Sequence, residues 1–184
     1  MSVSFTGLSH INIVVDDINI GSEYYKTLFN AVDKVEFTRF KNISFAKSAG
    51  FMNDPEKVEL TLKFLYIPGA NLTLELMQYH YPKGKDYGQS KKTNDIGFGH
   101  ISLNVTNIEE TFNFISKQDI KLISSDRNYK PFKIDDITND EFHFFDPKME
   151  NNTEGKNKFC DLISNTKYFY FIDKYGIQWE FEQN

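Results

Sequence analysis

Gly7-Leu8-Ser9-His10-Ile11-Asn12-Ile13 returns ninety positions later as Gly97-Phe98-Gly99-His100-Ile101-Ser102-Leu103. A second pair of stretches matches further on: Leu72-Thr73-Leu74-Glu75-Leu76 and Ile177-Gln178-Trp179-Glu180-Phe181. Each copy thus has one histidine near its start and one glutamate near its end. A lone histidine on a strand is ordinarily a hydrogen-bonded structural residue. A lone glutamate there can lie on a solvated outer face. Duplication could preserve both as structural residues, but one shared metal explains all four positions together. Two imidazoles and two carboxylates are a complete ligand set for a divalent ion. His10, Glu75, His100 and Glu180 are therefore the candidate metal ligands.

Parity around the histidines predicts strands. Ile11, Ile13 and Val15 share one side, and His10, Asn12 and Val14 the other. In the second copy Ile101, Leu103 and Val105 oppose His100, Ser102 and Asn104. Each strand runs into N-cap residue types, Asp16-Asp17 and Thr106-Asn107. Helices follow, ending by about Asn30 and Lys117. Phe64-Leu65-Tyr66-Ile67 aligns with Phe169-Tyr170-Phe171-Ile172 at an offset of 105. Four turn-like residues follow in each copy, Pro68 to Asn71 and Asp173 to Gly176, and then the Glu strand, which makes a hairpin in both. With a further strand at about 33–40 and 120–124, each module reads β-α-β-β-β. The first module covers about 5–80, a linker 81–95, and the second about 96–184.

The offset grows from 90 to 105, so the second module carries an insertion, placed at about 126–166. This segment is polar and contains the aromatic knot Phe142-His143-Phe144-Phe145. It reads as a long loop, partly packed down, that folds over the site as a lid. Shorter loops are expected at 46–57 and 80–95.

The 184 residues are 40% hydrophobic and include eighteen Phe and ten Tyr, enough for a core built on strands. A net charge of −5 argues against nucleic acid as a partner. No apolar run approaches a membrane span, and the N-terminus lacks signal-peptide features. The single Cys160 excludes an internal disulfide framework. A soluble cytoplasmic protein is the expectation. His80 and His143 lack repeat partners and read as loop residues. Arg39 is a candidate substrate anchor, with a surface ion pair as the alternative.

These paired modules, with His opening each and Glu on its last strand, resemble the vicinal oxygen chelate superfamily. That group includes glyoxalase I, methylmalonyl-CoA epimerase, extradiol dioxygenases and the fosfomycin and bleomycin resistance proteins. The resemblance implies an α+β fold in which two βαβββ modules form a curved mixed β-sheet cup with flanking helices. By position, His10, Glu75, His100 and Glu180 match the four-ligand pattern of the glyoxalase I branch. Ile172 to Glu180 is similar to that family's DPDG…E ending, with Lys174-Tyr175 in place of Pro-Asp. Two imidazoles and two carboxylates accept Zn, Ni, Co, Mn or Fe, and the resemblance implies a homodimer. It also implies a lyase or isomerase that moves a proton beside a carbonyl, with Glu180 as base and Glu75 as its counterpart. The usual glutathione contacts are replaced by Val14 and Tyr79, so the chemistry carries over better than the substrate. Asn12, Tyr79 and Arg39 are the candidate substrate contacts. An Fe(II) extradiol-type dioxygenase and a metal-free binding protein of the resistance kind remain alternatives.

Overall fold

The computed structural model describes residues 4–86 and 92–184. The chain divides into two compact units, Met1–Gly88 and Gln89–Asn184. Part of the expected 81–95 linker lies outside the described residues.

In the first unit β1 (Ile11–Val14) leads into α1 (Ile18–Phe29) and then β2 (Val32–Phe40). A short α2 (Ile43–Ser48) and a 3-10 turn (Pro55–Lys57) follow. The hairpin β3 (Glu59–Ile67) and β4 (Leu72–Tyr81) completes the unit. Sheet order is β1-β4-β3-β2; β1 runs parallel to β4 and the other pairs are antiparallel. Helix α1 starts at Asp17, whose carboxylate accepts from the Asn19 and Ile20 amides, and ends at Asn30 in the left-handed conformation. Its buried residues include Ile18, Tyr25 and Leu28. Ile13, Val15, Leu65, Leu74 and Leu76 are buried in the sheet, as the parity of β1 requires.

The second unit repeats this plan. β5 (Ile101–Asn104) leads into α3 (Ile108–Ile115), and β8 (Lys167–Ile172) and β9 (Gln178–Gln183) form the hairpin. The sheet order is β5-β9-β8-β6, with β6 only Lys121–Leu122; β7 (Phe132–Lys133) also pairs with β8. β5 is parallel to β9. The two units match in fine detail. Gln78 Oε1 accepts the Ile18 amide at 3.1 Å, and Gln183 Oε1 accepts the Ile108 amide at 2.8 Å. Each glutamine satisfies a free amide in the first turn of its helix. Gly7 and Gly97 both have positive φ, 138° and 122°, three residues before each histidine. Glycine recurs there because a side chain would strain that backbone.

The structure corrects four sequence expectations. The segment 126–166 is not a long loop: it holds α4 (Pro147–Glu150) and the 13-residue α5 (Thr153–Asn165). The aromatic knot does pack down, Phe142 and Phe144 against Phe159 of α5. Glu150 fastens it, accepting the Phe144 amide at 2.7 Å and Lys156 Nζ at 3.0 Å. The 46–57 segment contains the end of α2 and the 3-10 turn. His80 is on β4, with Nε2 2.8 Å from Thr61 Oγ1, rather than in a loop. Finally, the second hairpin turn has five residues, since Ile172 pairs with Gln178 while Ile67 pairs with Leu72. The extra residue is closed by Asp173, which accepts the Tyr175 and Ile177 amides and the Trp179 indole N–H, each at 2.9 Å. Gly176 takes φ 82° in that turn.

Leu74 is fully buried. Leu74→Ala is expected to lower the unfolding free energy by about 2–5 kcal/mol in urea titrations. A loss below roughly 1 kcal/mol would contradict close packing at that site.

Candidate metal centre

Strand register brings each histidine to its glutamate. Asn12 pairs with Glu75 across β1 and β4, and Ser102 pairs with Glu180 across β5 and β9. The histidine two residues earlier reaches the same carboxylate. His10 Nε2 is 3.1 Å from Glu75 Oε2, and His100 Nε2 is 2.8 Å from Glu180 Oε2. Both carboxylates are nearly enclosed, with side-chain exposures of 10% and 12%, while both imidazoles are about one-third exposed. A buried carboxylate requires partners, and these are supplied differently in the two units.

Glu75 Oε2 also accepts from Asn12 Nδ2 at 3.0 Å, and the same amide reaches the Glu75 carbonyl at 3.2 Å. His10 and Asn12 thus address one oxygen, leaving Oε1 without a hydrogen bond among the described residues. His10 Nδ1 stands 3.1 Å from Ser9 Oγ, a contact that orients the ring. Opposite Glu75 on β3 lies Phe64, whose ring meets His10 edge-on at 5.9 Å.

Glu180 is engaged at both oxygens. Tyr170 donates to Oε1 at 2.7 Å, from the position opposite Glu180 on β8. Its ring meets His100 edge-on at 5.3 Å, as Phe64 meets His10. Tyr170 is therefore the counterpart of Phe64, although the offset of 105 places Phe169 there. The five-residue turn moves β8 by one position, and one position exchanges the faces of a strand. That slip takes Tyr170 out of the aligned repeat, whereas pleat parity across the turn from Glu180 points to it. The Tyr170 backbone is also held: its amide donates to Tyr129 Oη at 2.7 Å, and Tyr129 Oη donates to its carbonyl at 3.3 Å. Tyr129 comes from the inserted segment and serves the β8 edge between β7 and β6.

Burial first, and then donation to the Glu180 carboxylate, hold the Tyr170 phenol well above the ordinary tyrosine range. It stays a donor throughout the neutral range. Burial, with the Glu75 charge second, also raises the Tyr79 phenol.

The remaining candidates fall away from chelation. Arg39 Nη1 binds Glu59 Oε1 at 2.7 Å and is 64% exposed, so it forms the surface ion pair. Glu59 also takes Lys41 at 2.9 Å. Tyr79 lies on β4 on the same side as Glu75, with its hydroxyl 3.9 Å from Met77 Sδ. His143 sits against Phe145, and Cys160 Sγ is 3.3 Å from Asn139 Oδ1.

Each unit thus presents an imidazole nitrogen and a carboxylate oxygen side by side. Two donors about 2.1 Å from one ion at a right angle stand roughly 3.0 Å apart, so the 3.1 and 2.8 Å separations suit adjacent ligands. Among the described residues, no group of three or more His, Cys, Asp or Glu is gathered as a metal site. No helix among them is long and apolar enough to cross a membrane.

The family model for the Glyoxalase/Bleomycin resistance protein/Dioxygenase superfamily matches residues 7–154. No curated protein matches the chain. Among solved structures, a glyoxalase family protein from Bacillus cereus is 10% identical with a TM-score of 0.66, the match covering 98% of this chain and 95% of that one. The fosfomycin resistance protein FosX from Listeria monocytogenes, in complex with Mn(II) and sulfate, is 16% identical with a TM-score of 0.51, covering 98% and 94%. A glyoxylase/bleomycin resistance protein/dioxygenase domain from Frankia sp. is 14% identical with a TM-score of 0.53, covering 98% and 99%. These likenesses establish the fold.

A phenol whose folded pKa is raised contributes stability below its ordinary pKa and loses it as pH climbs toward the folded value. Wild type is therefore expected to lose more stability than Tyr170→Phe between pH 8 and about 11.5. Urea titrations at both pH values measure this, and equal losses would contradict the Tyr170–Glu180 bond.

Proposed function

Since the chain belongs to the Glyoxalase/Bleomycin resistance protein/Dioxygenase superfamily, we propose that it is a metal-dependent, glyoxalase-like lyase or isomerase acting on a small oxygen-chelating substrate. The observation that carries this reading is the His–Glu pair built twice in the same register, at 3.1 and 2.8 Å. His10, Glu75, His100 and Glu180 would hold the ion, and their mixed donor set accepts Zn, Ni, Co, Mn or Fe. That the related fold of FosX was solved with Mn(II) supports a divalent metal. The metal, when bound, supplies Lewis-acid polarisation of a substrate carbonyl.

The hydrogen bonds support different roles for the two carboxylates. Glu180, engaged by His100 and Tyr170 at separate oxygens, is the fixed member. Glu75 Oε1 has no hydrogen bond among the described residues, so Glu75 is the better carrier of the proton from the carbon beside the carbonyl. This reverses the emphasis of the sequence reading, in which Glu180 is the principal base. Asn12 holds Oε2 while Oε1 works, and Tyr79 lines the same side of β4. We further propose that two copies of the chain associate as a dimer.

Exchange of the carbon-bound protons of small α-hydroxyketones into D2O tests the chemistry. Zinc-loaded protein is expected to exchange them above the metal-free background, and Glu75→Gln to lower the rate by about 10²-fold or more. Equal exchange by loaded and metal-free protein would reject the reading.

A further inference from the structure

Strand β8 has β9 on one side and only the short β6 and β7 on the other. At that outer edge Phe132 of β7 pairs with Tyr168, and Lys121 of β6 pairs with Ile172. Tyr170 falls between the two, where an unpaired backbone group would be costly. The side chain of Tyr129 fills the place. Its hydroxyl accepts the Tyr170 amide at 2.7 Å and donates to the Tyr170 carbonyl at 3.3 Å. The Ile123 amide donates to that same carbonyl at 3.2 Å. In the first unit the counterpart Phe64 has a strand partner instead, Val35 of β2.

The Tyr129 hydroxyl is itself held in place. The Tyr129 amide donates to the Asp126 carbonyl at 3.0 Å, and Asp126 Oδ1 accepts the Asn128 amide at 2.7 Å, which closes the turn before it. The Tyr129 ring meets Phe112 of α3 edge-on at 6.2 Å and lies 6.1 Å from the Phe132 ring. Phe112 in turn meets Phe169 at 5.1 Å. The phenol is thus anchored to a helix, an edge strand and the core, all within the second unit. From Tyr129 Oη only Tyr170 intervenes before Glu180. The Tyr170 backbone sets where its ring leaves the strand, and its hydroxyl donates to Glu180 Oε1 at 2.7 Å. A displacement of about 1 Å is enough to break a bond of that length.

We infer that Tyr129, brought by the inserted segment, is a positioning residue for the second His–Glu pair: its hydroxyl stands in for an edge strand at Tyr170 and so fixes the phenol that holds Glu180. The inference rests on the proposed function in taking Glu180 as a metal ligand. With Oε1 kept by Tyr170, Glu180 offers Oε2 alone, beside His100 Nε2 at 2.8 Å. Loss of the Tyr129 hydroxyl strands the Tyr170 amide, lets the β8 edge shift and frees the carboxylate to turn. Hydrogen-bond partners of metal ligands ordinarily contribute about 10- to 100-fold to metal affinity, and Tyr129 acts one step further out.

Cobalt(II) dissociation constants, measured by chelator competition on the full-length protein, test this in wild type, Tyr129→Phe, Tyr170→Phe and the double variant. Tyr129→Phe is expected to weaken binding about tenfold in the wild-type background and not at all in the Tyr170→Phe background. An unchanged affinity would overturn the inference. So would the same loss in both backgrounds, since general loosening does not depend on the Tyr170 phenol. On metal-free protein the carboxyl carbon resonance of Glu180, assigned with Glu180→Gln, gives a second reading. Tyr129→Phe should move it in the same direction as Tyr170→Phe, and no movement would overturn the positioning role. A protein that binds no cobalt yet shows this movement would uphold the positioning role and sink the metal reading. Should Tyr129→Phe fail to fold, Phe132→Leu, which loosens the seat of the Tyr129 ring, decides by the same pair of backgrounds.

Discussion

The parallel pairing of the first and last strands of each unit is the constraint on which the site depends. Once β1 lies beside β4 with Asn12 opposite Glu75, His10 has one carboxylate within reach. The same pairing of β5 with β9 sets His100 against Glu180. Two further contacts hold the register. The amides of Val15 and Val105 donate to the carbonyls of Met77 and Glu182, each at 2.8 Å. Gln78 and Gln183 then tie the last strands to the first turns of α1 and α3. A one-residue slip in either pair would turn the glutamate to the helix-covered face. The helix, the hairpin and the glycine at positive φ all serve that alignment.

Equivalent frames carry unequal side chains. Asn12 supports Glu75 from the neighbouring strand on one side, and Tyr170 supports Glu180 from the strand on the other. Among the described residues, one carboxylate keeps an oxygen without a hydrogen bond and the other does not. The inserted segment adds to the asymmetry through Tyr129, which bonds both backbone groups of Tyr170. Its length thus has a structural use at the β8 edge, where β6 and β7 are only two residues each. In the first unit the corresponding edge partner is the nine-residue β2.

The elements legible in the sequence were those whose signals are local and periodic. Alternation at Ile11, Ile13 and Val15 marked β1, Asp17 and Asn107 marked the helix starts, and the repeat gave both hairpins. Helix α5 was obscured because its inward stripe includes Lys156 and Ser164, polar residues that break the apolar period yet are buried with partners. Helix α2 is too short for a period to show. Tyr170 was lost to a single extra turn residue, a change that composition does not register but pleat parity does. Arg39 was legible as an isolated guanidinium, but its partner Glu59 becomes visible only through the pairing of β2 with β3.

We propose that the two His–Glu pairs serve one and the same metal ion. Cobalt(II) titration of the full-length protein, followed by visible absorption, tests it most directly. One equivalent per chain is expected, with His10→Ala and His100→Ala each abolishing the whole signal. Two equivalents per chain, or half of the signal surviving in either variant, would show two independent sites and contradict the claim.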